Sequence, residues 1–238
     1  MRIVCHRGAN QIAPENTLCA AQLCFERRYD FVELDLRTTA DGHLVVLHDK
    51  TVDRTTNGSG ALAELTWGEL CELDAGSWFD PKFGDQRIPL FSEMLNLARE
   101  GGGGLYVELK NVDPQAMLNE VAAADMMQNC FFGSENPQMM RKVRALAPKA
   151  TLMARRCDFS TLEETIEDCQ SQIIEFDQTK DDLAELPRCR ELGVRTMIYD
   201  QTHDLAAMEA LGARRGNITA VVGPTISRRW PHNQPARI

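Results

Sequence analysis

Glu33-Leu34-Asp35 sets two carboxylates two residues apart, and Glu108-Leu109-Lys110 repeats the spacing with a carboxylate and an amine. Residues two apart on a strand share a face. Each tripeptide therefore turns both charged groups the same way, while Val32, Leu34 and Leu36 take the opposite face. Charge directed into a protein interior is costly unless compensated. Three converging carboxylates suit one hard divalent cation with oxygen ligands, Mg²⁺ or Ca²⁺, with Mn²⁺ as a further option. The same residues also allow a salt-bridge network in which Arg7 and Lys110 neutralise the acids.

His6-Arg7-Gly8 adds an imidazole and a guanidinium at the end of the first apolar run, and His48 follows a later one. A planar guanidinium donates two parallel hydrogen bonds and suits phosphate. Two imidazoles flanking a metal site can act as general base and general acid, in either order. Three carboxylates, one divalent ion, Arg7 and Lys110 leave a site of charge +1, which a singly charged phosphodiester would neutralise. Glu15-Asn16, Arg54-Thr55-Thr56 and Glu175-Phe176-Asp177 are secondary candidates for orienting or lining such a site. His43, His203 and His232 read as surface residues.

The elements that must position these groups follow from hydrophobic periodicity. Short apolar runs at 2–5, 31–37, 104–109, 130–133, 150–154, 172–176, 194–199 and 218–222 read as strands. Amphipathic stretches at 17–28, 91–100, 114–126, 136–146, 160–169, 181–192 and 203–211 read as helices. Start signals support several, including Asp113-Pro114, Asn136-Pro137 and a capping box from Ser160 to Glu163. Eight strands with intervening helices predict a (β/α)8 barrel, with reactive groups at the C-terminal strand ends. No Gly-x-Gly-x-x-Gly loop follows the first strand, which disfavours a doubly wound sheet.

One segment departs from the alternation. Asp41-Gly42 reads as a two-residue hairpin turn between 31–37 and 44–47, a register that puts Asp35 opposite His48. The turn-rich and aromatic stretch at about 51–89 reads as a small insertion within a single domain spanning 1–238. The glycine run 101–104 reads as a flexible connection, and 228–238 as a tail.

The chain has 238 residues, 43% of them hydrophobic, and a net charge of −9 that disfavours nucleic acid as a partner. No apolar run approaches the ~18 residues of a membrane span, and the start lacks a signal-peptide pattern. Eight scattered cysteines without a Cys-x-x-Cys pair read as reduced thiols. A cytoplasmic protein is expected, and its charge and hydrophobicity are compatible with monomer or dimer.

These motifs, with Pro14-Glu15-Asn16-Thr17, His48-Asp49 and Ile88-Pro89-Leu90, resemble the glycerophosphodiester phosphodiesterase family. The resemblance implies a TIM barrel with a small insertion and metal-dependent hydrolysis of glycerophosphodiesters to glycerol 3-phosphate and an alcohol. It assigns Glu33, Asp35 and Glu108 to the metal, His6 and His48 to acid/base catalysis, and Arg7 and Lys110 to the phosphate. Family members carry a Trp and an Asn near a late strand end, where Met197 and Asp200 stand in this sequence. Gly223-Pro224 replaces an Asp-Pro-like pattern. The alternatives are a phosphodiesterase for lysophospholipids, with an apolar groove from Trp67, Trp78, Phe79 and Phe83, or a non-catalytic phosphate-ligand-binding barrel.

Overall fold

A computed structural model describes residues 2–177, 179–199 and 218–223 of the chain. Eight parallel strands form the frame: β1 (Arg2–Cys5), β2 (Phe31–Thr38), β4 (Gly104–Asn111), β5 (Cys130–Gly133), β6 (Thr151–Arg155), β7 (Ile173–Asp177), β8 (Arg195–Tyr199) and β9 (Ile218–Gly223). Each pairs with the next, and β1 pairs with both β2 and β9, closing the sheet. The remaining strand, β3 (Leu44–Val46), runs antiparallel to β2. The eight-stranded α/β barrel predicted from the sequence is observed.

Helices α1 (Leu18–Glu26), α3 (Phe91–Gly101), α4 (Pro114–Ala123), α5 (Pro137–Leu146), α6 (Leu162–Asp168) and α7 (Leu186–Glu191) alternate with the strands, while α2 (Trp67–Leu70) belongs to the segment after β3. Asp113 and Asn136 cap α4 and α5, each followed by proline at the first helical position. The α6 capping box lies one residue later than predicted. Thr161 accepts from the Glu164 amide, and the Glu164 side chain accepts from both the Thr161 and Ser160 amides. The predicted helix at 203–211, together with Asp200, His203, Pro224, His232 and the tail at 228–238, lies outside the described residues.

Alternation along the strands divides the barrel interior into two levels. Val4, Phe31, Tyr106, Phe131, Met153, Ile173 and Met197 form a buried apolar floor. Phe131 is its hub, stacked on Tyr106 at 4.7 Å and meeting Phe31 edge-on at 5.3 Å. Two residues further along the same strands come His6, Glu33, Glu108, Arg155, Glu175 and Tyr199. The outward residues, Leu34, Leu36, Val107, Phe132 and Ile174 among them, pack in the larger core beneath the helices.

The hairpin register differs from the sequence expectation by one residue. Leu36 faces Val46 and Thr38 faces Leu44, so Asp35 lies across from Leu47, whose amide donates to the Asp35 carbonyl at 2.9 Å. The turn uses three residues centred on Asp41, with Gly42 at φ +89°, a left-handed position that glycine adopts at low cost. A one-residue slip reverses side-chain direction. Leu47 is accordingly buried, and His48 is delivered by the chain beyond β3.

Residues between β3 and α3 hold 3-10 turns at Leu62–Glu64 and Pro81–Phe83. Their apolar cluster includes Val52, Leu62, Leu70, Ala75 and Ile88. The run 101–104 is a packed helix end, not a flexible connection: Gly102 caps α3, and a Cβ on Gly103 would stand 2.3 Å from the Phe25 ring. All eight cysteines are free thiols. Among the described residues, no helix is long and apolar enough to cross a membrane.

Phe131→Ala should open a cavity beneath the charged level and cost about 3–5 kcal/mol. The shift of the urea unfolding midpoint at unchanged slope measures this loss; a loss below about 1 kcal/mol would mean that the floor collapses to fill the gap.

Candidate active site

β1 ends in a tight reversal that holds Arg7 at φ +57° and Gly8 at φ +80°. A Cβ on Gly8 would lie 2.9 Å from the Ala20 backbone carbon, so the close approach of this turn to α1 requires glycine. The left-handed conformation at Arg7 is sterically disfavoured, and such strain gathers where function fixes the backbone. It aims the Arg7 amide at Glu33 Oε2, 2.7 Å away. Asn16, also left-handed at φ +57°, donates its amide to the Arg7 carbonyl and its Nδ2 to Asp35 Oδ2 at 2.9 Å.

Glu33, Asp35 and Glu108 converge: one oxygen of each lies within 4.8 Å of the others. Glu33 and Asp35 are each 1% exposed, whereas Glu108 is half-buried. Lys110 Nζ lies 2.6 Å from Glu108 Oε1 and 3.3 Å from Asp35 Oδ1, and Arg7 Nε lies 3.4 Å from Asp35 Oδ2. These cations do not satisfy the cluster. Glu33 Oε1 and Asp35 Oδ1 are buried without a hydrogen bond. Unsatisfied buried carboxylate oxygens aimed at one point fit a hard cation with oxygen ligands.

The electrostatics follow from this crowding. Burial, then Asp35 and Glu108, push Glu33 well above the usual carboxylate range. Burial and Asp35 likewise raise Glu108. Burial also acts to raise Asp35, but Lys110 and Arg7 outweigh it and hold the group below its ordinary value. Burial and neighbouring Arg7 lower His6 to about 4. Glu175, buried near Glu108, is pushed up to about 8.

Every sequence-predicted site residue reaches this end of the barrel. A mouth of about 260 Å³ is lined by His6, Arg7, Glu33, His48, Glu108 and Lys110 among others, and Asp35 lies beneath it against Arg7 and Lys110. Glu175 and Asp177 line the mouth as well, Asp177 accepting from Thr179 and pairing with Lys180. The aromatics Trp67, Trp78, Phe79 and Phe83 do not line it. Phe79 meets Trp78 and Phe83 edge-on, each at 5.8 Å.

One other participant, Tyr199, was not singled out from the sequence. Tyr199 packs its ring 5.7 Å from His6. It occupies the mouth level, whereas Met197 belongs to the apolar floor. Its place two residues beyond Met197 on one strand face was a usable signal. Asp49 Oδ1 lies 2.6 Å from His48 Nδ1. Arg54 bonds Asp49 and also Glu15, which in turn accepts from Arg7. Arg54 thus ties the segment after β3 to the first βα loop.

A profile of the glycerophosphoryl diester phosphodiesterase family matches residues 6–162. A glycerophosphodiester phosphodiesterase of Caldanaerobacter subterraneus is 30% identical over 231 residues, covering 85% of this chain and 95% of that relative. A Bacillus subtilis glycerophosphodiester phosphodiesterase is 33% identical over 141 residues, covering 56% of this chain and 48% of that relative. The crystal structure of a glycerophosphodiester phosphodiesterase from Agrobacterium tumefaciens superposes with a TM-score of 0.87 at 32% identity, covering 94% and 96% of the two chains. An Oleispira antarctica phosphodiesterase in complex with the product sn-glycerol-3-phosphate gives 0.81 at 26% identity, covering 94% and 93%.

The raised carboxyls predict a pH signature for the ion-free protein. A group whose folded pKa exceeds its unfolded value stabilises fully below the unfolded value, and that stability is lost as pH rises through the folded pKa. For Glu33, Glu108 and Glu175 the window starts near ~4.3 and, for Glu175, extends to about 8. Asp35, shifted the other way, acts only below this window. His6, lowered to about 4, acts the other way up to its ordinary value near ~6.5, so the melting temperature without divalent ions should fall most clearly between that value and about 8, and Glu33→Gln should flatten the fall. Adding Mg²⁺ or Ca²⁺ at a hundredfold excess over its dissociation constant should restore about 2.7 kcal/mol. A melting temperature indifferent to both pH and cation would contradict the site.

Proposed function

Because the chain belongs to the glycerophosphoryl diester phosphodiesterase family, we propose that it hydrolyses glycerophosphodiesters to sn-glycerol 3-phosphate and an alcohol, using a divalent cation and paired histidines. The observation that carries this reading is the convergence of Glu33, Asp35 and Glu108, with unsatisfied oxygens, at the mouth lined by His6 and His48. Held by the three carboxylates, a divalent cation would supply Lewis-acid stabilisation of charge on the phosphoryl oxygens. Arg7 and Lys110 orient the phosphate by charge-assisted hydrogen bonds.

His6, neutral at pH 7 with its pKa near 4, takes the proton of the attacking oxygen. His48 protonates the departing one. Asp49 accepts the His48 Nδ1 proton, which fixes the tautomer and leaves Nε2 as the proton carrier. Arg54 positions Asp49 for that task. Both roles make the arrangement a catalyst and not a passive binder of phosphate ligands. We read 1–238 as a single catalytic domain with an insertion at about 51–89, and the eight free thiols support a cytoplasmic setting.

The test is release of sn-glycerol 3-phosphate from a panel of glycerophosphodiesters with each divalent ion in turn. Turnover should vanish on exhaustive chelation and return with Mg²⁺, Ca²⁺ or Mn²⁺. His48→Ala should lower kcat by about a hundredfold or more while cation binding and melting temperature stay unchanged. Undiminished turnover by that variant would remove His48 from the proton transfers.

A further inference from the structure

Beside the mouth lies a second and larger cavity of about 810 Å³. His48, Lys110 and Glu135 line both, so the two adjoin across the residue that protonates the leaving oxygen. One wall is Ala61, Leu62 and Ala63 of the insertion; the opposite wall is Asn111 and the loop carrying Glu135 and Asn136. The volume is of the size that small-molecule sites occupy.

The charge on these walls is one-sided. Arg37 and Lys50 both line the cavity, and neither has a carboxylate within ion-pair distance among the described residues. Arg37 donates Nε and Nη2 to the His48 carbonyl, while Asp35, Asp49 and Glu108 act on it at longer range. Glu135, the one acid of the lining, is paired with Arg155 at 2.8 Å. Asn136 is the N-cap of the ten-residue helix α5, whose first turn has no acidic residue, so its positive dipole end adjoins the same space.

Two further features bear on the ligand. Asn111, Ser134 and Asn136 bring amide and hydroxyl groups to the lining, which suits a hydroxyl-bearing guest. Among the described residues, no Trp, Tyr or Phe lines the cavity, so these walls lack the ring faces that bind quaternary ammonium groups.

We infer that this cavity seats the departing alcohol and selects hydroxyl-rich alcohols carrying an anionic group over quaternary ammonium alcohols. The inference rests on the phosphodiesterase reading and adds the class of head group. Lys50 is exposed and belongs to no catalytic contact, which makes its charge a handle on specificity alone.

The experiment compares kcat/KM for glycerophosphoinositol phosphate, glycerophosphoinositol and glycerophosphocholine, with wild type and Lys50→Glu. Wild type should favour them in that order. Lys50→Glu should cut the preference for the phosphorylated over the plain inositol diester by about tenfold. Both substrates are read on one preparation, so a partly folded variant leaves the ratio intact. A wild-type preference for glycerophosphocholine, or a ratio untouched by Lys50→Glu, overturns the inference while leaving the phosphodiesterase reading standing. Failure to hydrolyse any of the three removes that reading, and this one with it.

Discussion

Mutual repulsion among Glu33, Asp35 and Glu108 is the constraint on which the rest of this structure depends. Two of the three are essentially sealed from water, and the nearby Arg7 and Lys110 leave oxygens on both without a hydrogen bond. A network built for stability alone would close those valences. The barrel instead holds the acids in place from several directions: strand pairing registers Asp35 with Glu108, the Arg7 amide fixes Glu33, and Asn16 fixes Asp35. Preorganised charge of this kind is what electrostatic catalysis needs, because nothing must rearrange when the reacting group arrives.

The support beneath the acids is ordinary packing. The aromatic floor around Phe131 excludes water from below and fixes the height at which the next inward residue of each strand emerges. Above it, the histidines are held by different means. His6 is set by the reversal at the end of β1, while His48 arrives on the hairpin extension of β2 and is steadied by Asp49 and Arg54. The strand that bears two acids is therefore continuous with the segment that bears one of the imidazoles.

Features governed by local periodicity were legible in the sequence. Alternation fixed the inward direction of Glu33, Asp35, Glu108 and Lys110, and the strand positions predicted from it agree with those observed to within about two residues. The hairpin was misjudged by one residue because Asp-Gly suits both a two-residue turn and a three-residue loop with glycine in the left-handed position. Capping at Thr161 displaced that expected at Ser160, since either hydroxyl satisfies the pattern. The pairing of Arg54 with Glu15 spans 39 positions, and no periodicity reports a contact between separate loops. Tyr199 shares a strand face with Met197 but sits one level higher, and only the height of the floor, a tertiary property, tells the two positions apart.

The segment between β3 and α3 packs around an apolar cluster that it shares with Val45 and Leu47, and Ala61 to Ala63 also form a wall of the larger cavity. The chemistry-bearing strand ends and that wall thus draw on different apolar clusters, that of the barrel and that of the segment after β3. Lineages can remodel the wall, through loop length or a handful of surface substitutions, while the reaction centre stays intact. Diversity in what is cleaved off should accordingly evolve faster than the manner of cleavage.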